Sequence, residues 1–581
     1  MDIGKILDFA PDTELRGENP FERTEIDRQK KAYGEPNSKK SKLALPAYME
    51  SVSDGVRMTE AEMEERRQEL LAKAEIDNGE QEDMDEAATR KLFLLFDKRM
   101  KKNQDQRIKY AQKPEKYMNS EMDLYAHLHE IKQLATQPHL YPLFWDEDIN
   151  SGLTLVNLIS LSWHENSDIA AMARALTMIE TLYDLLDQEE EENEEICKVL
   201  YQKYMEHDVL SVAVGTLKRM DETKNEEMEA AFKSIGLLES IIEGSDDQDI
   251  ITKVANSGNF LIWLLERVRR RTINMVKVYA AEMLSVLLQG SEENQKIIGE
   301  KKGVDILLKQ LAYFKKRNPK GQEEIELMEN LFDALCSVVQ GLYPPNRKKF
   351  LEDEGLHLMN LMIREKKMSR NSALKVINHV VSGYEGGDNS VKYVEILGLK
   401  TLFPLFMKTP KRNKKTGHTE NDHEEAIVSI IGNLMRNLSG SLKRRLVDKF
   451  VELDHAKSER LLELHFKYAE KMEAAEEEVE QQAAILAQEG VEMDDDMAYA
   501  LRLEKGLFTL QQIDYIIVEL YGSGIESLRE RIISHLSMRK SSLKQIREVV
   551  KDYADNLGDG ENQEAIEQER NRLLELAMGL M

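Results

Sequence analysis

A glycine recurs along the middle of the chain, and an apolar residue always follows it four positions later. The glycines are Gly152, Gly258, Gly303, Gly355 and Gly398, and the residues four positions later are Val156, Ile262, Leu307, Met359 and Leu402. The residue seven positions later is also apolar at Ile159, Leu265, Met362 and Leu405, whereas Gln310 is polar. An α-helix returns to the same face after four and seven residues. The pattern therefore predicts a repeated helix with one buried face, entered through a tight turn at the glycine.

The spacing of these glycines indicates the class of repeat. One further unit, which lacks the glycine, starts near Asp208. The distances between successive unit starts are then 56, 50, 45, 52 and 43 residues. Armadillo and HEAT units need roughly 40–47 residues, with insertions in loops. We therefore expect an all-α fold, an armadillo/HEAT-like right-handed superhelical solenoid with helical caps. The expected regions are a largely disordered tail (1–85), an N-terminal helical cap (86–150), armadillo-like repeats (151–440) and a C-terminal helical region and cap (441–581).

Charge and cysteine usage restrict the compartment and the partners. The net charge of −27 disfavours nucleic acid as a direct partner and favours basic proteins. The two cysteines, Cys197 and Cys336, argue against a disulfide framework and for a reducing compartment. The sequence shows no signal peptide and no apolar run long enough to cross a membrane, so we expect a cytosolic or nuclear protein without membrane partners. The basic residues Lys30, Lys31, Lys39, Lys40 and Lys42 form a candidate nuclear localisation signal; a merely solvated tail is the alternative.

Catalytic signatures are missing from the sequence. It contains no phosphate-binding loop, HExxH zinc motif, GxSxG elbow or CxxC pair. His127 and His129 stand two apart, which points them to different helix faces and favours a surface pair over a metal site. Cys336 lies in an apolar helical segment and reads as a buried thiol. We therefore expect a protein that is not an enzyme and binds no cofactor or metal.

A surface for protein partners is the remaining candidate site. The residues five positions after the glycines project beside the buried face, and they are Asn157, Trp263, Leu308, Asn360 and Phe403. Asparagine amides can hydrogen-bond an extended peptide, and aromatic faces can contact lysine or arginine. We therefore expect an acidic groove for basic segments that uses Asn157, Trp263, Asn360 and Phe403. The alternative is that these side chains pack between neighbouring units.

Several long blocks of sequence identify a specific resemblance. They are KNQ at 102–104 with RIK at 107–109, PEKYM at 114–118, MENLFD at 328–333, the block at 355–379, the block at 396–411 and LELHFKY at 462–468. These blocks resemble the β-catenin-like protein 1 family, a nuclear armadillo-type family associated with the spliceosome. The resemblance covers residues 85–560.

The resemblance implies a scaffold in pre-mRNA splicing. The implied partners are spliceosomal proteins, including the complex around a Myb-like splicing factor, and basic segments of the localisation-signal type. Import receptors bind such segments through a Trp-x-x-x-Asn ladder, but here Trp263 is followed by Arg267. Recognition must therefore use other groups. A cytoplasmic armadillo-type adaptor or carrier is the alternative function, and assembly as a homo-oligomer stays open.

Overall fold

The computed structural model describes residues 85–161, 191–206, 209–245, 247–411, 419–488, 493–557 and 563–579, with a few single positions between 164 and 173. In these ranges the chain forms 24 α-helices with short 3-10 turns and no strand, which confirms the all-α prediction. None of these helices combines the length and the apolar character that crossing a membrane requires. The chain divides into two compact units, of which the first holds described residues 85–263 and 274–279 and the second holds 264–273 and 280–579.

Seven helices lie wholly within the first unit. They are α1 (Glu86–Lys109), α2 (Met118–Ile131), α3 (Thr154–Leu161), α4 (Glu191–Glu206), α5 (Val209–Leu217), α6 (Asn225–Glu243) and α7 (Ile250–Asn256). Helix α1 begins where the Asp85 carboxylate accepts a hydrogen bond from the Ala88 N–H at 2.7 Å. Helices α1 and α2 pack against each other and bury Phe93, Phe96 and Leu124. Helices α8 (Phe260–Arg269) and α9 (Met275–Leu288) contribute residues to both units.

After α9, the second unit continues with helices in sets of three. The sets are α10 (Glu292–Glu300), α11 (Gly303–Leu311) and α12 (Gly321–Val339); α13 (Pro345–Glu352), α14 (Gly355–Glu365) and α15 (Arg370–Val381); and α16 (Gly387–Glu395), α17 (Leu399–Met407) and α18 (Glu420–Asn437). In each set the third helix is the longest, and the third helices α12, α15 and α18 pack on one another in order. Their inner sides are apolar and fully buried, for example at Leu335, Val376 and Ile430. This layer of third helices forms the core of the repeats.

The glycine before each second helix has a different role from the one expected in these sets. The left-handed backbone conformation falls on the preceding residue, at Lys302, Glu354 and Leu397, with φ of 60°, 61° and 66°. The glycine itself lies against a fully buried side chain five positions earlier, which is Ile298, Phe350 or Tyr393. A Cβ atom on the glycine would overlap that side chain. Of the five repeated glycines, only Gly152 and Gly258 adopt a positive φ, 71° and 53°, and so form the tight turn themselves.

The last described part of the chain forms six helices, and two breaks between them correct the predicted boundaries. They are α19 (Gly440–Gln488, interrupted at Glu452–His455), α20 (Asp495–Lys505), α21 (Leu507–Tyr521), α22 (Glu526–Met538), α23 (Leu543–Asp555) and α24 (Gln563–Met578). The sequence predicts one helix over 501–521, but Gly506 takes φ 113° and separates α20 from α21. It also predicts one helix over 528–557, but the chain turns at Lys540, with φ 57°. Apolar periodicity alone does not reveal these breaks because it continues on both sides of each turn.

Candidate protein-binding face

The four predicted groove residues all make contacts within the protein. In the first unit, the Asn157 amide donates to the Asp97 carboxylate at 3.3 Å, and the Trp263 ring stacks on Phe260 with 6.1 Å between centroids. In the second unit, the Asn360 amide donates to the Ile396 carbonyl at 3.4 Å, and its own oxygen accepts from the Thr401 hydroxyl. Asn360 therefore joins α14 to the start of the next second helix. The Asn157 and Asn360 contacts favour packing between neighbouring repeats, the alternative to a groove, whereas the Trp263–Phe260 contact lies within α8.

Phe403 departs furthest from the prediction. Its side chain is only 3% exposed. Its ring lies 6.0 Å from that of Phe406 and 5.5 Å from that of Phe450, both edge-on. Such pairs stabilise a core, and a ring buried among them cannot contact a partner. The expectation that Phe403 lies open in a groove is therefore wrong. The candidate localisation signal at Lys30, Lys31, Lys39, Lys40 and Lys42 lies outside the described residues.

Charged side chains gather instead on the third helices. On α12, Glu329 and Asp333 follow Glu326 by three and seven positions, which places all three carboxylates on one face of the helix. Glu282, near the middle of α9 and within the second unit, lies close enough to Glu326 to affect its own ionisation. Ser372, Lys375 and His379 repeat the same spacing on α15. We call these seven residues the third-helix face.

Two hydrogen bonds align the two helices of this face. The Ser372 hydroxyl donates to Glu329 Oε2 at 2.7 Å, and Lys375 Nζ donates to Asp333 Oδ1 at 2.9 Å. The Lys375–Asp333 pair is open to solvent, with side chains 50% and 45% exposed. The other oxygen of Glu329, Oε1, has no hydrogen-bond donor among the residues that the structure describes. Because Oε1 is buried, a donor from outside meets the face at the exposed Lys375–Asp333 pair and not at this oxygen.

Burial and charge shift the ionisation of these groups. Burial raises the pKa of Glu329 to about 7, although the Ser372 hydrogen bond acts in the opposite direction. Burial also raises the pKa of Glu282, and the nearby Glu326 carboxylate adds to the effect. Burial lowers the pKa of His379 to about 4, with Lys375 contributing. Carboxyl groups whose ionisation is disfavoured gain most from an approaching cation, so the face is electrostatically suited to lysine or arginine.

The residues considered for chemistry at the sequence level have structural roles. His127 is fully buried rather than part of a surface pair, and its Nε2 donates to the Leu92 carbonyl at 2.8 Å. Cys336 is buried as expected, and burial raises the pKa of its thiol to about 12. The acidic residue Asp494 also has a structural role, because it caps α20 by accepting from the Met497 N–H at 2.7 Å. In the described part of the chain, no three His, Cys, Asp or Glu side chains are grouped to hold a metal ion.

Sequence reasoning missed the third-helix face because it followed the helix that the glycine marks. The signal was present as two polar triplets with the same spacing, at 326, 329 and 333 and at 372, 375 and 379. In so acidic a chain, such triplets stand out only when the structure pairs two helices through them. Asn437 of α18 makes hydrogen bonds within the protein: its amide donates to the carbonyls of Val381 and Gly383 at 2.9 and 2.7 Å.

Comparison with known proteins places the whole repeat region in one family. The family model described as catenin-beta-like, Arm-motif containing nuclear matches residues 66–551. Beta-catenin-like protein 1 of Homo sapiens is 42% identical over 501 residues, which cover 85% of this chain and 86% of the relative. The Schizosaccharomyces pombe homolog is 28% identical over 489 residues, or 82% of this chain and 81% of the relative.

The likeness to solved structures is weak. The crystal structure of SYS-1 covers 91% of this chain at 10% identity with a TM-score of 0.36, which is too low to support an inference. The family match carries the assignment instead, and the three-helix sets agree with its Arm motif. The chain therefore belongs to the catenin-beta-like family of nuclear, Arm-motif proteins, and its fold is an armadillo-type solenoid.

Proposed function

We propose that this protein is a non-catalytic nuclear scaffold in pre-mRNA splicing that binds basic, extended segments of spliceosomal proteins on the third-helix face. The observation that carries the binding site is the carboxylate row of Glu326, Glu329 and Asp333, in which the Asp333 side chain is 45% exposed. The nuclear description of the family supports the compartment. The sequence resemblance to a spliceosome-associated family supports the process.

The binding mode follows from the charges on the face. A lysine or arginine of the partner pairs with the exposed Asp333 carboxylate, for which it competes with Lys375. The buried Glu329 carboxyl group lies one helix turn away and contributes through its negative charge when it is ionised. The excess of acidic residues in the chain as a whole increases the association rate with basic segments. Affinity is therefore expected to fall as salt is added.

A peptide-binding experiment tests the site. The full-length protein is titrated into a fluorescent peptide of the basic localisation-signal type, and anisotropy gives Kd. Changing Glu329→Gln together with Asp333→Asn is expected to weaken binding about tenfold, because the exposed carboxylate and its buried neighbour are both neutralised. The control is Glu352→Gln with Glu395→Gln, which removes the same charge from exposed positions on α13 and α16. Equal losses in the two double variants would show that only net charge matters.

A second experiment tests the process and the compartment. The protein, expressed as a full-length fluorescent fusion, is localised in cells and then precipitated from nuclear extract for mass spectrometry. Nuclear fluorescence and co-precipitated spliceosomal proteins are expected. Changing Lys39, Lys40 and Lys42 to Ala in the same fusion tests whether these residues form the localisation signal. Cytoplasmic fluorescence of the unchanged fusion, without spliceosomal proteins in the precipitate, would contradict the proposal.

A further inference from the structure

The corner between α1 and α2 has the opposite charge to the rest of the chain. Between Ile108 and Met118 the sequence carries three lysines and a single glutamate, Glu115, in a protein of net charge −27. Two of the family's sequence blocks, RIK at 107–109 and PEKYM at 114–118, meet here, and the third-helix face does not involve them. We call the exposed lysines and large apolar residues of this region the corner patch: Ile108, Lys109, Lys113, Lys116, Met118 and Met122.

Hydrogen bonds hold the corner in one geometry. The Asn103 amide donates to the Ser120 hydroxyl at 3.0 Å, and Arg107 pairs with Glu121. The turn itself is a short 3-10 helix over Pro114–Lys116, whose proline fixes the backbone at its start. The end of α1 and the start of α2 are thus fixed beside each other. The patch on them is presented by a defined scaffold rather than by a free loop.

The aromatic rings at the corner are already covered by cations. Lys116 Nζ lies 4.8 Å and Lys109 Nζ 5.5 Å from the centre of the Tyr110 ring. The Arg107 guanidinium lies 5.0 Å from the centre of the Tyr117 ring. Single-stranded nucleic acid is bound largely by stacking bases on open aromatic faces. Since the cations occupy these rings, the corner is poorly suited to that mode of binding.

Large apolar side chains are instead open to solvent. Ile108 is 75% exposed, Met118 53% and Met122 64%. Ile108 lies in the last turn of α1, whereas Met118 and Met122 lie one turn apart at the start of α2. Exposed apolar side chains grouped beside fixed charges are typical of a protein-binding surface. Their aliphatic character matches apolar side chains and not phosphates.

From this combination we infer that the corner patch binds an acidic amphipathic segment of a partner protein. Carboxylates of the segment pair with Lys109, Lys113 and Lys116, and its apolar side chains cover Ile108, Met118 and Met122. The charge complementarity excludes the basic segments proposed for the third-helix face. The inference does not depend on the proposed function, since the two surfaces select partners of opposite charge.

Binding of synthetic peptides to the full-length protein tests the inference. The probe is a labelled helical peptide with glutamates on one face and leucines on the other, compared with the same peptide carrying serine for leucine and with a single-stranded RNA. Only the amphipathic peptide is expected to bind well. The double variant Lys109→Glu with Lys113→Glu should weaken the affinity for the amphipathic peptide about tenfold. The double variant Ile108→Ser with Met122→Ser should weaken it about fivefold.

Matched controls separate the patch from general effects. Lys540→Glu with Lys551→Glu makes the same charge change, and Ile485→Ser with Met538→Ser the same apolar change, at exposed positions in the second unit. These variants should bind the peptide as the unchanged protein does. Tighter binding of RNA, equal binding of the serine peptide, or equal losses in the controls would overturn the inference. Sedimentation provides a further test. If the protein self-associates and only the patch variants abolish this, the inference is also overturned, because the occupant of the patch would be a second copy of the chain.

Discussion

The close approach of Gly355 to Phe350 gives the most direct test of how the repeat turns are built. A Cβ at Gly355 would lie 2.5 Å from two ring atoms of Phe350, whereas carbon atoms in contact are about 3.5–4.0 Å apart. The Phe350 ring is fully buried and cannot move into solvent. Gly355→Ala is therefore expected to cost about 1–3 kcal/mol, the range for overpacked cores.

Gly387 provides a matched control. It is also the first residue of a helix, α16, but a Cβ there would meet no atom within 4 Å. Gly387→Ala should be neutral or stabilising by up to about 1 kcal/mol, because alanine has less freedom to lose on folding. The two substitutions are chemically identical, so the difference between them reports the Phe350 contact alone.

Hydrogen exchange and urea unfolding of the full-length protein measure the effect. A repeat protein need not unfold in one step, so the exchange of amides in α13 and α14 gives the local free energy directly. Phe350→Leu should partly relieve the cost, giving a double variant less destabilised than the sum of the single variants. A Gly355→Ala protein as stable as Gly387→Ala, or strict additivity with Phe350→Leu, would refute the reasoning.

Three further predictions follow from individual side chains. Asn360→Ala should cost about 1–2 kcal/mol in urea unfolding, because it removes the hydrogen bonds of Asn360 with the Ile396 carbonyl and the Thr401 hydroxyl, although that hydroxyl keeps its bond to the Gly398 carbonyl. It should leave basic-peptide affinity unchanged; a large loss of affinity would instead make it a binding residue. Glu329 keeps its proton in the folded protein up to pH about 7 but loses it near pH 4.5 when unfolded, so its contribution to stability is lost as pH rises through that window. Glu329→Gln should therefore be neutral at pH near 4 and stabilising by about 1–3 kcal/mol at pH near 8; a pH-independent effect would contradict this sign. Leu361→Pro in the middle of α14 should cost about 3 kcal/mol or more, seen as accelerated amide exchange across that helix, and unchanged exchange would disprove its interior position.

Much of the fold could be predicted because it rests on neighbours within one helix turn. The apolar residues seven positions after the glycines are buried, and so are Leu307, Met359 and Leu402 four positions after theirs, whereas Val156 and Ile262 are only half-buried. The polar exception, Gln310, is also buried, and its amide donates to the Arg269 carbonyl at 3.2 Å. The helical periodicity fixes which face is inward, but it gives no information on which distant group meets a buried amide.

The candidate site was harder to predict than the fold. The sequence located the second helices, and four residues beside their apolar face appeared free to bind a partner. Phe403 is covered by Phe450, a residue of α19 that no local pattern connects to it. Glu329 acquires its unusual ionisation only because α15 packs against α12 and buries it. Contacts between helices decide which side chains stay accessible.

The sequence by itself determined the helical class, the repeated second helix, the buried thiol of Cys336 and the family. These properties depend on periodicity, composition and matching blocks, all of which are local along the chain. The tertiary structure alone decided that the third helices carry the polar face and that the glycines make room for Ile298, Phe350 and Tyr393. The physical reason is that burial, charge and steric overlap are set by atoms brought together from separate helices.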